Sequence, residues 1–175
     1  MYWADGNLQV MVDGAEKFHG HLCEGLVLGV RMALAALREL GIEDSKGPAG
    51  KDLVIFVETD RCPVDGIIAV TGRTPGKRSI KMMDYGKPAA TFIETRSSNC
   101  VRVSARADFN EKVGSFAKSC FPRMEGKPAK VAAMAMVPEN DLLRLQRVGV
   151  ELCARDLPGK SHRIHKLQRW AMKSR

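Results

Sequence analysis

The sequence predicts an α+β fold in which a mostly antiparallel sheet packs with helices, one of them long and close to the N-terminus. Three observations predict it. Apolar residues recur at three- and four-residue steps from Cys23 to Leu40. Leu53 to Val57 is an unbroken apolar run rich in β-branched residues. Short strand-like runs then follow one another between residues 79 and 107, and sequential neighbours of this kind usually pair.

Leu8 to Phe18 reads as a short amphipathic helix, with Val10, Met11, Ala15 and Phe18 at helical spacing. A polar break, Phe18-His19-Gly20-His21-Leu22-Cys23-Glu24-Gly25, leads into the long helix, which carries Leu26, Val30, Ala33, Leu34 and Leu37 and stops at Gly41. Gly25 and Gly29, four apart on that helix, allow another element to come close. Lys46 to Gly50 is a loop by composition, and the strand Leu53–Val57 delivers the chain to Glu58-Thr59-Asp60-Arg61-Cys62-Pro63. Pro63 suits a first helical position, so Cys62 is the expected N-cap of a helix reaching about Val70. Strands are expected at 79–83, 89–94 and 100–107, the first two joined through Asp84-Tyr85-Gly86-Lys87-Pro88 as an antiparallel meander. Residues 110–117, 129–136 and 139–146 read as helices, the last after Pro138, and 148–154 as a final strand. Pro158-Gly159 divides a core domain (1–158) from a basic tail (159–175).

Composition narrows the function classes. The 175 residues are 45% hydrophobic and 27% charged, as in ordinary globular domains. No run approaches the roughly 18 apolar residues of a membrane span. The first residues lack the basic and apolar regions of a secretory leader. Five scattered cysteines without a Cys-x-x-Cys pair suit a reducing compartment, so a cytoplasmic protein is expected. Of the net charge of +8, six charges fall between Lys160 and Arg175, where six Lys or Arg residues meet no acid. Aromatic residues are sparse and do not interleave with arginine, which argues against a nucleic-acid partner.

The chemistry-bearing residues lie at two predicted helix starts. His19, His21 and Cys23 alternate along the polar break, and imidazole and thiolate are the donors that zinc, iron, nickel and copper prefer. Unpaired N–H groups at a helix start favour a thiolate, which applies to Cys23 and, by the same physics, to Cys62. A crossover joining the two helix starts would unite two imidazoles and two thiolates, the composition of a closed zinc site. If one histidine stands back, the site is open, as in catalytic centres. A thiol enzyme with Cys23 as nucleophile and His21 as its base is the other chemistry these residues allow. Cys100, Cys120 and Cys153 lack such neighbours and read as core filler. Gly72-Arg73-Thr74-Pro75-Gly76-Lys77 lacks the spacing of a phosphate loop.

Taken together, His19–Leu26, Glu58–Gly66 and Asp84–Ala89, in this order and spacing, resemble the FmdE-like family over roughly residues 10 to 107. That family is named for a component of formylmethanofuran dehydrogenase. The resemblance implies an α+β core, usually a homodimer, with a His/Cys metal-associated pocket. It also implies an accessory or enzymatic role linked to molybdenum or tungsten formylmethanofuran dehydrogenase or related anaerobic metabolism. Zinc is the ion expected at His19, His21, Cys23 and Cys62, with nickel or iron as alternatives.

Three positions depart from the family pattern. Glu24 follows Cys23 where relatives carry proline, and Arg73 stands where the loop Gly72-Arg73-Thr74 commonly has a cysteine. The C-terminal Cys-x-x-Cys finger of many members is missing, so no zinc finger is expected. Arg73, together with Lys87 at its tight turn, is expected to favour a small anionic ligand or cofactor. The alternative to a metal-binding protein is a non-catalytic module whose basic tail contacts a polyanion or an acidic protein.

Overall fold

The computed structural model of the chain describes residues 6–149. The tail, the boundary at Pro158-Gly159, Cys153 and all but the first two residues of the expected last strand lie outside them. The elements run α1 (Gly6–His19), α2 (Glu24–Leu40), a 3₁₀ turn (Ala49–Asp52), β1 (Leu53–Val57), α3 (Pro63–Thr71), β2 (Ile80–Met82), β3 (Ala89–Glu94), β4 (Asn99–Ala105), α4 (Phe109–Cys120), α5 (Gly126–Met136), α6 (Glu139–Leu142) and β5 (Leu143–Arg147). The five strands form one sheet in the order β2-β1-β3-β4-β5. Every pairing is antiparallel except β1 with β2. This is the α+β class expected. No described helix is long and apolar enough to cross a membrane.

The long helix α2 organises the core. Ten of its residues are buried, among them Leu26, Val27, Val30, Met32, Ala33 and Leu37. They belong to one cluster with Leu53, Ile55 and Val57 of β1, Phe92 of β3, and Val101 and Val103 of β4. Strand periodicity explains the choice, since alternate residues of each strand share a face. Val54, Phe56, Ile93 and Cys100 form a second, smaller cluster, in which Cys100 is the core filler expected. Gly41 ends α2 at φ 68°, where its N–H and that of Ile42 reach the carbonyls of Arg38 and Leu37. From the middle of α2, the Arg31 guanidinium donates to the carbonyls of Met134 and Val137 at 2.8 and 2.7 Å, at the carboxyl end of α5. Burial pushes that guanidinium below its ordinary value.

Several local expectations are corrected. In α1 the buried face is Leu8, Val12 and Ala15, while Val10 and Phe18 are exposed. The strands at 79–83 and 89–94 do not pair with each other, because β1 lies between them. The reason is the connection: the N–H groups of Tyr85 and Lys87 both donate to the Glu58 carbonyl at 3.0 Å, which wraps the turn across the end of β1. Gly86 serves that turn at φ 65°, with its N–H on the Asp84 carboxylate. Ion pairing also fixes Glu58, whose carboxylate receives Nε and Nη2 of Arg102 at 2.6 and 2.7 Å. The expected helix 139–146 is a single turn that gives way to β5, for the edge of β4 captures Leu143–Arg147 with Leu145 opposite Val103. An edge strand presents unpaired backbone groups, and an alternating Leu-Arg-Leu segment can satisfy them. Cys120, expected as core filler, is exposed as the last residue of α4.

Candidate metal centre

Three helix ends build the centre. α1 closes at His19, where Gly20 takes φ 93° and returns its N–H to the Glu16 carbonyl. The chain then extends to Cys23, which caps α2: its backbone is extended (φ −145°, ψ 164°) and its Sγ accepts the Leu26 N–H at 3.4 Å. Cys62 immediately precedes α3 with Pro63 at the first helical position, as the sequence implies. Unlike Cys23 it is already in helical conformation (φ −41°, ψ −34°), and its side chain caps nothing.

Glycines let these ends meet. A Cβ on Gly29 would lie 2.1 Å from the Pro63 carbonyl oxygen, and one on Gly66 would lie 2.4 Å from that of Leu26. One on Gly25 would lie 3.1 Å from Cβ of Cys62. The backbones of α2 and α3 therefore touch, and contact at this range brings Cys62 to the start of α2.

The result is convergence of His19, Cys23 and Cys62, whose ligand atoms all lie within 4.8 Å of one another. Cys23 Sγ and His19 Nε2 are 3.9 Å apart. A tetrahedral zinc site, with bonds of about 2.3 Å to sulfur and about 2.0 Å to nitrogen, has nitrogen–sulfur edges near ~3.5 Å. The donors thus fit an ion with small adjustment. Nδ1 of His19 meets Oδ2 of Asp65 at 2.6 Å. That carboxylate calls for the proton on Nδ1, which turns the Nε2 lone pair toward the thiols. Such a carboxylate–histidine pair is the usual support of a metal-binding imidazole. Replacing Asp65 with asparagine is expected to lower zinc affinity about ten- to a hundredfold, with the thermal midpoint of metal-free protein little changed. Chelator competition measures the first and scanning calorimetry the second.

Burial is the main influence that raises the Cys62 thiol above its ordinary value. A hydrogen bond with the Cys23 thiol and the charges of Cys23 and Asp65 add to it, and the backbone N–H of Cys62 opposes it. This direction runs against the expectation that a helix start favours the Cys62 thiolate. The Cys62 side chain is not in capping position, and burial disfavours its charged form.

The remaining sequence candidates are not among the three converging donors. His21 is exposed, with its ring centroid 4.5 Å from that of His19. The polar break is not one extended segment, since Gly20 turns His21 outward. Arg73 is buried just beyond α3, with Nε donating to the Thr71 carbonyl at 3.3 Å. Lys87 is exposed in the turn on Glu58. Beside the donors lies a cavity of about 600 Å³ lined by His19, Cys62 and Asp65, by Asp60 and Arg61, and by the apolar Val64, Ile68, Pro75 and Met82. Neither Arg73 nor Lys87 lines it. Asp65, which with Asp60 is a carboxylate close to Cys62 in the sequence, is not among the expected site residues, yet it is the partner of His19. Its position three residues after a helix-starting cysteine, facing another helix end, is the available signal.

Residues 18–147 match the model of the family described as "FmdE, Molybdenum formylmethanofuran dehydrogenase operon". The chain belongs to this family. All three converging donors fall within the matched FmdE segment. A 95-residue stretch is 39% identical to the "Probable S-adenosyl-L-methionine-binding protein" of Archaeoglobus fulgidus, covering 54% of this chain and 26% of that protein. The match thus spans about a quarter of the curated relative. Among solved structures, the tungsten formylmethanofuran dehydrogenase FmdE-like protein of Syntrophus aciditrophicus is similar with a TM-score of 0.59. It is 22% identical, and the match covers 81% of this chain and 72% of that one, a likeness of fold.

Proposed function

We propose that this FmdE-family protein binds one transition-metal ion through His19, Cys23 and Cys62 and serves formylmethanofuran dehydrogenase-linked or related anaerobic metabolism in an accessory or enzymatic role. One observation carries the reading: three soft donors from three helix ends lie within 4.8 Å of one another. Two thiolates and an imidazole in a compact set favour zinc, with nickel or iron as the other candidates. His21 is the histidine that stands back, with its ring against that of His19, and in this reading it is the candidate fourth ligand or the base for Cys23. An ion held here supplies Lewis acidity, and Asp65 keeps His19 in the ligating tautomer. The remaining elements of the reading are a homodimer in the cytoplasm and a small-molecule ligand, with Arg73 and Lys87 as the contacts of an anionic one.

Metal analysis of protein made without a histidine tag, handled anaerobically, tests the reading. About one ion per chain is expected, and a content near zero for every transition metal overturns it. Binding is also expected to depend on pH with a definite sign. A ligating thiol must lose its proton, so the raised Cys62 value makes zinc compete with a proton through the neutral range. Affinity should rise about tenfold per pH unit on account of Cys62 alone, and go on rising beyond the ordinary thiol range until the raised value is passed. Chelator-buffered titrations from about pH 6 to about pH 10, reaching beyond the ordinary thiol value, read the slope. In metal-free protein the sign is opposite for stability. The half-buried neutral thiol favours the fold below the ordinary thiol pKa, and that contribution is lost as pH rises through the folded value.

A further inference from the structure

We infer that the cavity beside the metal centre is a binding site for a small amphiphile with an uncharged oxygen head and a short hydrocarbon body. The inference rests on the proposed centre in sharing His19 and Cys62 with it and in the charge of the wall when the ion is bound. Its lining is divided by chemistry: His19, Cys62 and Asp65 are polar, whereas Ile68, Pro75 and Met82 are apolar. Met82 is 55% exposed, a large apolar side chain left at the surface where it borders a concave space. At about 600 Å³ the space is of the size that holds small molecules.

Topology supports the same place independently. β1 and β2 are the one parallel pair in the described sheet, joined through α3. Met82 ends β2, and Asp60 to Cys62 follow the carboxyl end of β1. Crevices beyond the carboxyl ends of parallel strands, beside a helix start, are where α/β units receive ligands.

The head group follows from charge. Asp60, Asp65 and the two thiols face the space or the donors beside it, and Arg61 is the one permanent cation among the described lining residues. A divalent ion is neutralised by two thiolates, so the polar wall does not become cationic when it is loaded. A carboxylate head is therefore disfavoured relative to a hydroxyl or amide, which can donate a hydrogen bond to the Asp65 carboxylate without charge repulsion.

Methyl-labelled methionine in zinc-loaded protein provides the test, with straight-chain alcohols from butanol to heptanol as probes and hexanoate as the charged comparison. The Met82 methyl resonance, assigned with Met82→Leu, is expected to shift in a saturable way. Affinity should rise about three- to fourfold for each added methylene, and hexanol should bind more tightly than hexanoate. Ile68→Ser should weaken hexanol about tenfold while zinc content is kept, and a thermal scan confirms that it is folded. Shifts spread evenly over all methionines, no dependence on chain length, or tighter binding of hexanoate overturns the inference. Should the protein hold no zinc, the same series run on metal-free protein decides the cavity alone, while the metal reading has already failed.

Discussion

Cys62→Ser protein is expected to bind zinc about a hundredfold more weakly than the wild type while keeping its fold. Closed zinc sites are stabilised by about 10–16 kcal/mol over four ligands, so one ligand contributes on the order of 3 kcal/mol, or about two decades in affinity. A serine hydroxyl does not ionise near neutral pH and cannot replace a thiolate. The fold should survive because the Cys62 side chain caps no backbone group. Cys23→Ser offers a sharper contrast. Its Sγ accepts the Leu26 N–H, and a serine oxygen is at least as good at a helix N-cap. The metal-free Cys23→Ser protein should therefore be as stable as the wild type or slightly more so, yet just as deficient in zinc. Chelator competition and thermal unfolding in the presence of a chelator measure the two halves separately. Wild-type affinity in both variants would remove the ligand assignment.

The second large effect concerns packing. Gly29→Ala is expected to lower stability by about 3 kcal/mol, at the upper end of the usual cost of overpacking. The new Cβ would lie 2.1 Å from the Pro63 carbonyl oxygen and 2.7 Å from its Cα, and backbone atoms cannot rotate aside. For a chain of this length the thermal midpoint should fall by about 6–12 °C. Zinc affinity should fall with it, because separating α2 from α3 draws Cys23 away from Cys62. Gly14→Ala is the control: it lies in α1 with nothing within 4 Å of its Cβ. Alanine there should stabilise by up to about 1 kcal/mol through helix propensity. An unchanged or raised midpoint for Gly29→Ala would show that the helices do not touch through their backbones.

Much of this arrangement is legible in the sequence because its signals are local. Cys23 before an apolar periodic run, Gly41 after it, and Pro63 behind Cys62 each mark a boundary by their own backbone preferences. The pair Gly25 and Gly29 foretells a close neighbour. Errors arise where a distant partner decides the outcome. Nothing in residues 79–94 reveals that the Glu58 carbonyl will hold the turn between them, so β1 enters the middle of an expected meander. Residues 143–147 follow a good helix start, yet the open edge of β4 outweighs it. In α1 the buried stripe is rotated from the one expected, since Val10 and Phe18 are apolar but remain exposed among the described residues. At the site itself, one physics is expected of the two thiols. Their capping geometries differ, Cys23 being extended and Cys62 already helical, and no residue type marks that difference. His21 escapes for a related reason: Gly20 turns the chain where alternation implies one extended run.

The two bonds from Arg31 to the carbonyls of Met134, in the last turn of α5, and of Val137, just beyond it, give α2 a second duty. One end of this helix carries Cys23, and its midpoint clasps a segment more than a hundred residues further along the chain. A shift of α2 along its axis cannot stay confined to the donor atoms, because it must also pull on the final turn of α5. Amide protons in that turn should therefore exchange faster when the ion is withdrawn, giving a remote reporter of occupancy far from any sulfur.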